Sequence, residues 1–399
     1  MAAPTRLFTP LELPCGAILK NRIVKSAMSD SLGDGAGHPT ETQYRLYRKW
    51  AEGGLAAAIV GEVQGSPYFA EKPGNLVLSA ASDLDRFRKL AAQGNCDGAH
   101  LWLQLGHAGA LSFAPTSAAM GPSALNLPGI RCREMTTEDI AKLPSQMAET
   151  SALSKQLGFG GIQIHAAHGF LLSQFLSPLF NHRTDAYGGD IGNRVRFFIE
   201  VIDAVRDAVG PEYPVALKLN SSDQLEGGLT EEEALVVVET LESTSIDLID
   251  ISGGTYFPSA KSASDSGGRG PYFLDFAAQA RERSSKPLML TGGIKTLSQA
   301  EDAVASGAVD IVGLARAFCL EPSLPNLWRE GKVTEPAFPR FSETPEGGVT
   351  AWFTLRMTEI GDGDTGTVSD DLFDALKRYE TRDKERTERW IDYFGLPGA

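Results

Sequence analysis

Two histidines three residues apart, His165 and His168, follow the short apolar run Gly161-Ile162-Gln163-Ile164. They open a long irregular stretch, GGIQIHAAHGFLLSQFLSPLFNHRTDAYGG, from Gly160 to Gly189. Alternation that gives way to glycines and polar residues reads as a buried strand opening into a loop, where chemistry is commonly placed. Near neutral pH an imidazole can donate or accept a hydrogen bond, move a proton or bind a metal. The same pair could also be two satisfied structural histidines. No metal is expected, because two imidazoles without a nearby cysteine or carboxylate make an incomplete shell.

Similar runs recur along the chain, and polar residues or glycines sit at their ends. Runs at Arg22–Ala27, Ala57–Val63, Leu101–Leu105, Gly161–His165, Val215–Leu219, Leu248–Ser252, Leu288–Thr291 and Asp310–Gly313 read as eight strands. Their ends carry, in order, Ser26-Ala27-Met28-Ser29, then Glu62 and Val63, Gln104 with His107, the histidine pair, and Lys218 with Asn220. Gly253-Gly254-Thr255-Tyr256, Gly292-Gly293, and Gly313 with Ala315 and Arg316 complete the set. The last two loops form a candidate anion site. Glycines let backbone N–H groups come close, a helix start follows at Thr296, and Arg316 brings a guanidinium fork. Tight turns alone would also use these glycines, and a phosphate by itself would not separate a flavin from a sugar phosphate.

Helical patterns fill the gaps between runs. Val195, Ile199, Ile202, Val205 and Val209 repeat at helical spacing before Gly210-Pro211, and Thr230–Glu233 and Thr296–Gln299 have the form of capping boxes. Alternating strands and helices imply parallel pairing, and eight strands can close an α/β barrel of the (β/α)8 or TIM type, whose active sites lie in the loops after the strands. A doubly wound sheet is the rival, but no Gly-x-Gly-x-x-Gly turn follows the first strand.

The remaining segments decorate that barrel. Residues 6–20, broken by Pro10, Pro14 and Gly16, read as a hairpin or lid, and the long loop Gly106–Met135 as a second lid or subdomain. The helix after it should begin at Thr136-Thr137-Glu138-Asp139. The barrel should occupy residues 1–334. Residues 335–399 should form an extension in which Gly347-Gly348 and Gly361–Asp364 are loops and Asp370–Trp390 is a charged helix, packed on the barrel or on a second subunit of a homo-oligomer.

The 399-residue chain has 42% apolar residues and a formal net charge of −14, with no basic surplus to neutralise phosphates, which argues against nucleic acid or an anionic membrane as partner. Cys15, Cys96, Cys132 and Cys319 share no ligand or disulfide spacing. The N-terminus lacks an apolar signal core and no run approaches a membrane span, so a cytoplasmic location is expected.

The chain resembles the Old Yellow Enzyme family of FMN-dependent NAD(P)H oxidoreductases. HAAHGFLLSQFLSP and NHRTDAYGGDIGNRVRFF carry the resemblance, with NRIVKSAM at Asn21, LQLGHAG at Leu103, LTGGI at Leu290 and VGLARAF at Val312. It implies FMN as cofactor, with NAD(P)H as co-substrate. Ser26, Ala27, Met28, Ser29 and Val63 (Glu62 being the second choice) would lie against the flavin, Gln104 on its polar edge and Lys218 near its N1 and C2 carbonyl end. Gly292, Gly293, Gly313, Ala315 and Arg316 would hold the phosphate. His165 and His168 would be catalytic, binding the oxygen of an electron-poor alkene or carbonyl substrate over the flavin, with Phe170 and Tyr256 beside it.

Three positions depart from the pattern. Phe170 stands where a tyrosine usually protonates the α-carbon, which leaves water, Tyr256 or Tyr68 to supply the proton. Ala27 and Ser29 replace a common proline and, in one branch, a cysteine. Lys218 replaces an arginine, keeping the charge but losing the fork. The alternatives are a flavin-binding protein with an NAD(P)H oxidase or regulatory role and no ene-reduction, or a flavin-free phosphate-binding lyase or isomerase. His107 is expected to support its loop, and Arg183, Asp185 and Tyr187 to fold the strand-four loop onto the barrel.

Overall fold

The computed structural model describes residues 5–257, 270–364 and 366–396. Eight strands form the barrel: β1 (Ile23–Ser29), β2 (Ala57–Gln64), β3 (His100–Leu105), β4 (Gly161–Ala166), β5 (Val215–Asn220), β6 (Leu248–Ser252), β7 (Leu288–Thr291) and β8 (Ile311–Leu314). Each pairs in parallel with its sequence neighbour, and β8 returns to pair with β1, so the sheet has no free edge among these strands. The sequence reading places these strands to within one or two residues.

A helix follows each strand: α1 (Glu41–Glu52), α2 (Leu84–Gly94), α3 (Thr137–Gln156), α4 (Arg196–Val209), α5 (Glu231–Glu242), α6 (Leu274–Arg283), α7 (Leu297–Ala305) and the short α8 (Arg316–Leu320). Their boundaries have local causes. Thr136 with Asp139, Thr230 with Glu233 and Thr296 with Gln299 form reciprocal capping boxes at the starts of α3, α5 and α7. Gly210, at φ 75°, ends α4 in a backbone conformation that favours glycine.

The barrel interior is layered. Val24, Ala57, Ala216, Leu248, Met289 and Ile311, all at or near the starts of their strands, pack with Ile59, Trp102, Leu13 and Leu19. Leu13 and Leu19 belong to the antiparallel hairpin of Leu11–Glu12 with Ile18–Leu19. The N-terminal hairpin therefore closes the barrel end opposite the functional loops. Polar residues replace this apolar layer toward the C-terminal strand ends, as described below.

The loop after β3 contains a three-stranded sheet of Met120–Gly121, Leu125–Leu127 and Ile130–Glu134. Leu125, Ile130 and Cys132 pack on Phe180 and Phe257, so this subdomain leans on the loops after β4 and β6. Arg183 fixes it there, donating to the carbonyls of Pro122 at 2.9 Å and Met135 at 2.7 Å while its Nε reaches Asp185.

In the extension, helix α9 (Gly348–Asp362) replaces the expected loops at Gly348 and Gly361–Asp362. Its glycines serve close packing. A Cβ on Gly361 would stand 2.3 Å from the carbonyl oxygen of Thr42, beside α1. Helix α10 (Leu372–Phe394) crosses the loops after β1 and β2: Trp390 is buried against Ala70 and Val77, and Arg386 donates to the Ser31 carbonyl. No helix among the described residues is long and apolar enough to cross a membrane.

Candidate active site

The last residues of β4 bring the histidine pair to the mouth of the barrel. The rings of His165 and His168 meet edge to face, with centroids 5.3 Å apart. His165 is buried, and its Nδ1 has no hydrogen-bond partner among the described residues. Burial, then the nearby His168 and Lys218, hold its pKa well below the usual imidazole value. His168 sits in left-handed backbone at φ 61°, held by its N–H to Asn220 Oδ1 at 3.0 Å, and its Nε2 lies 2.9 Å from Ser252 Oγ. Its pKa is pushed down to about 3 by burial and by Lys218. Both imidazoles are therefore neutral at pH 7, and a neutral imidazole carries one N–H donor. His165 Nδ1 is a buried nitrogen without a partner among the described residues, whereas His168 Nε2 lies on Ser252 Oγ.

Around the pair lies an aromatic wall. Phe170 is buried with its ring centroid 4.9 Å from that of His165, and Tyr256 is 5.8 Å from Phe170 and 5.7 Å from His168. Tyr68 is elsewhere, its hydroxyl on the Phe394 carbonyl at the end of α10. On the opposite flank Glu62, not Val63, enters the site: its Oε1 is 3.7 Å from His165 Nε2. Val63 instead packs in the outer shell and lines a cavity of about 540 Å³ beneath α3. A register shift between Val60 and Val63 in the β2–β3 pairing breaks the simple alternation and exchanges the two faces.

A similar shift between Lys25 and Met28 sorts the β1 residues. Ser26 points inward, its Oγ 2.8 Å from Thr291 Oγ1, and Ala27 packs on the inner layer. Met28 turns to the outer shell, contrary to expectation, and Ser29 accepts from Asn75 at 3.4 Å.

A belt of polar side chains crosses the barrel beneath these groups. Gln104 Nε2 donates to Gln163 Oε1 at 2.7 Å, and Gln163 Nε2 donates to Asp250 Oδ2 at 3.0 Å. Lys218 Nζ is 2.6 Å from the same Asp250 oxygen, and Thr291 donates to Asp250 Oδ1 at 2.6 Å. Lys218 is thus no lone cation: Asp250 neutralises it, and its remaining influence on the site is short-ranged. Gln104 keeps its Oε1 as an acceptor for a ring N–H. The sequence reading named Lys218, Gln104 and Ser26 but missed Gln163, Asp250, Ser252 and Thr291. Gln163 and Asp250 were detectable as polar residues inside the apolar alternations Ile-Gln-Ile and Ile-Asp-Ile.

Beyond the belt lies the glycine cradle. Gly292 and Gly293 adopt φ of 133° and 79°, and a Cβ on Gly293 would come within 1.9 Å of the Gly270 carbonyl. A Cβ on Gly313 would lie 2.3 Å from both Ser26 Oγ and Thr291 Oγ1. Ala315 caps α8, and Arg316, its first residue, stacks on Phe353 of α9 at 5.7 Å. Arg316 therefore has a fixed direction given by the extension.

These residues fit FMN. The cradle and Arg316 suit a phosphate, the Gln104 acceptor and Lys218 suit the polar edge of an isoalloxazine, and His165 Nδ1 stands without a partner among the described residues. The sequence matches the model of the NADH:flavin oxidoreductase / NADH oxidase family over residues 6–335. The chain belongs to this family. FMN is accordingly its cofactor.

The NADH-dependent flavin oxidoreductase iliE of Neonectria sp. is 34% identical over 381 residues, 86% of this chain and 49% of that protein. The protein of the same name from Hypocrea jecorina is 32% identical over 352 residues, covering 79% of this chain and 87% of its own. The chain thus spans about half of the first of these relatives and most of the second. Among solved structures, 2-naphthoyl-CoA reductase superposes with a TM-score of 0.77 at 28% identity, over 82% of this chain and 52% of that one. Morphinone reductase, at 24% identity and a TM-score of 0.72 over 84% of this chain and 92% of its own, shares the barrel fold.

Proposed function

We propose that this family member takes hydride from NAD(P)H and passes it to an activated alkene, an α,β-unsaturated carbonyl or a related acceptor. When bound, FMN supplies the hydride relay between the two substrates, which use the same face in turn. The observation that carries the reading is the buried, neutral His165 whose Nδ1 has no partner among the described residues. A ring that is neutral and fixed donates to the acceptor's oxygen without first shedding water. That hydrogen bond strengthens as the oxygen gains enolate charge, which lowers the barrier rather than merely the KM. His168 assists from a position set by Ser252 and Asn220, while Phe170 and Tyr256 flank the substrate. Residues 1–334 carry this chemistry; the extension 335–399 orients Arg316 and covers the loops after β1 and β2.

The test is the visible spectrum of the purified protein under anaerobic NADPH or NADH, followed by cyclohexenone. Bleaching by the nucleotide and return of colour with the enone is expected. Phe170 favours a second reading, NAD(P)H oxidation without ene-reduction. Under it the colour returns with oxygen and not with the enone, and that outcome sinks the first reading.

A further inference from the structure

Hydride delivery to the β-carbon of an enone leaves an enolate whose α-carbon must take a proton, and Phe170 has none to give. Tyr68 is tied to the Phe394 carbonyl, and Tyr256 stands at the rim, 59% exposed. One acid is buried beside the histidine pair. Glu62 is buried, its Oε1 3.7 Å from His165 Nε2, and its Oε2 has no partner among the described residues. A Cβ added at Gly106 would lie 3.3 Å from that oxygen, so the glycine leaves room beside the carboxyl.

We propose that Glu62 is the proton donor of this site, a neutral carboxylic acid that gives its proton to the α-carbon of the acceptor. The inference rests on enone reduction as the reaction of the site. The balance is simple. The β-carbon gains a hydride, its electron pair shifts the C=C π bond into an enolate, the O–H bond of Glu62 breaks as a C–H bond forms at the α-carbon, and water returns a proton to the carboxylate.

The surroundings keep the acid protonated beforehand. Its one ion-pair neighbour is His165, which is itself neutral, and the charged group that faces it is another carboxyl, Glu71. Among the described residues no guanidinium or ammonium pairs with the anion, and burial raises its pKa well above the carboxylate range. Acids poised in this way suit general acid catalysis near neutral pH.

Two measurements on Glu62→Gln, which keeps shape and polarity but has no acidic proton, test the proposal. The infrared difference spectrum of wild type minus variant, taken on the FMN-loaded oxidised proteins at pH 7, should show the carbonyl band of one buried protonated carboxyl. In anaerobic stopped flow the variant should slow return of colour by cyclohexenone about 100-fold more than it slows bleaching by the nucleotide, the low end of what a general acid contributes. Adding Phe170→Tyr to Glu62→Gln should recover at least part of that loss by restoring a phenol.

An absent acid band, or equal slowing of both half-reactions, overturns the proposal and leaves enone reduction standing. Tyr256→Phe matching the loss seen with Glu62→Gln assigns the proton to Tyr256 and overturns it too. A wild-type protein inert toward enones removes both readings.

Discussion

Lys218 Nζ lies 2.6 Å from Asp250 Oδ2, with side-chain exposures of 1% and 0%, on directly paired positions of β5 and β6. A buried ion pair of this kind punishes removal of one partner far more than removal of both. Asp250→Ala strands an ammonium in the barrel and should lower unfolding free energy by about 3–5 kcal/mol. Lys218→Met with Asp250→Leu should cost clearly less than Asp250→Ala alone. Urea denaturation of the two variants measures this, and a double variant as unstable as Asp250→Ala would refute it.

Three histidines at the ends of β3 and β4 set the acid limit of the fold. The pKa of His107 and of His168 is pushed down to about 3, and that of His165 also lies well below 6.5. An unfolded chain binds these protons more readily, so their contribution is complete above about pH 6.5 and is lost as pH falls from there toward 3. His107 and His168 should each remove about 2 kcal/mol by pH 5, and His165 adds to the loss in the same direction. Denaturation midpoints at pH 7.5 and pH 5 should show this loss. His107→Gln should flatten the dependence, because His107 otherwise only accepts from Gly109 N–H at 3.0 Å and stacks on Phe69.

Gly293→Ala tests the phosphate cradle. The residue has φ 79°, where a side chain costs about 1 kcal/mol or more, and its new Cβ would collide with the Gly270 carbonyl. FMN affinity should fall at least about tenfold, each tenfold being about 1.4 kcal/mol. Riboflavin, which lacks the phosphate, should bind nearly as well as to wild type. Fluorescence titration of both ligands separates a cradle from a mere turn: equal losses would mean that the glycine shapes the barrel alone.

Arg183→Ala should free the subdomain after β3. Two buried carbonyls, of Pro122 and Met135, lose their donor together, at a cost of about 3 kcal/mol. Limited proteolysis should then cut within residues 106–135 before any other segment; an unchanged digestion pattern would show that the Leu125, Ile130 and Phe180 packing suffices.

Alternation made the strands legible, and eight of them between capped helices fixed the barrel. Position at strand ends then pointed to His165, His168, Gln104, Lys218 and the glycines. What escaped was set by pairing between strands. Lys218 and Asp250 are partners because their strands align, and 32 residues of sequence separate them. Glu62 and Val63 exchange faces through an irregularity that has no residue signature. Helix α9 was hidden because glycine reads as a loop former, whereas Gly361 is needed where the helix nearly touches Thr42.

The polar belt from Ser26 through Thr291, Asp250 and Gln163 to Gln104, with Lys218 as a branch, links six of the eight strands. Its tolerance to change is therefore collective. An apolar replacement of one member strands the next, so single changes are better accommodated in the loops above than in the belt. The same holds in the laboratory: libraries directed at Tyr256 or the loop after β3 should return folded proteins, whereas libraries at the belt need at least two coordinated changes per survivor.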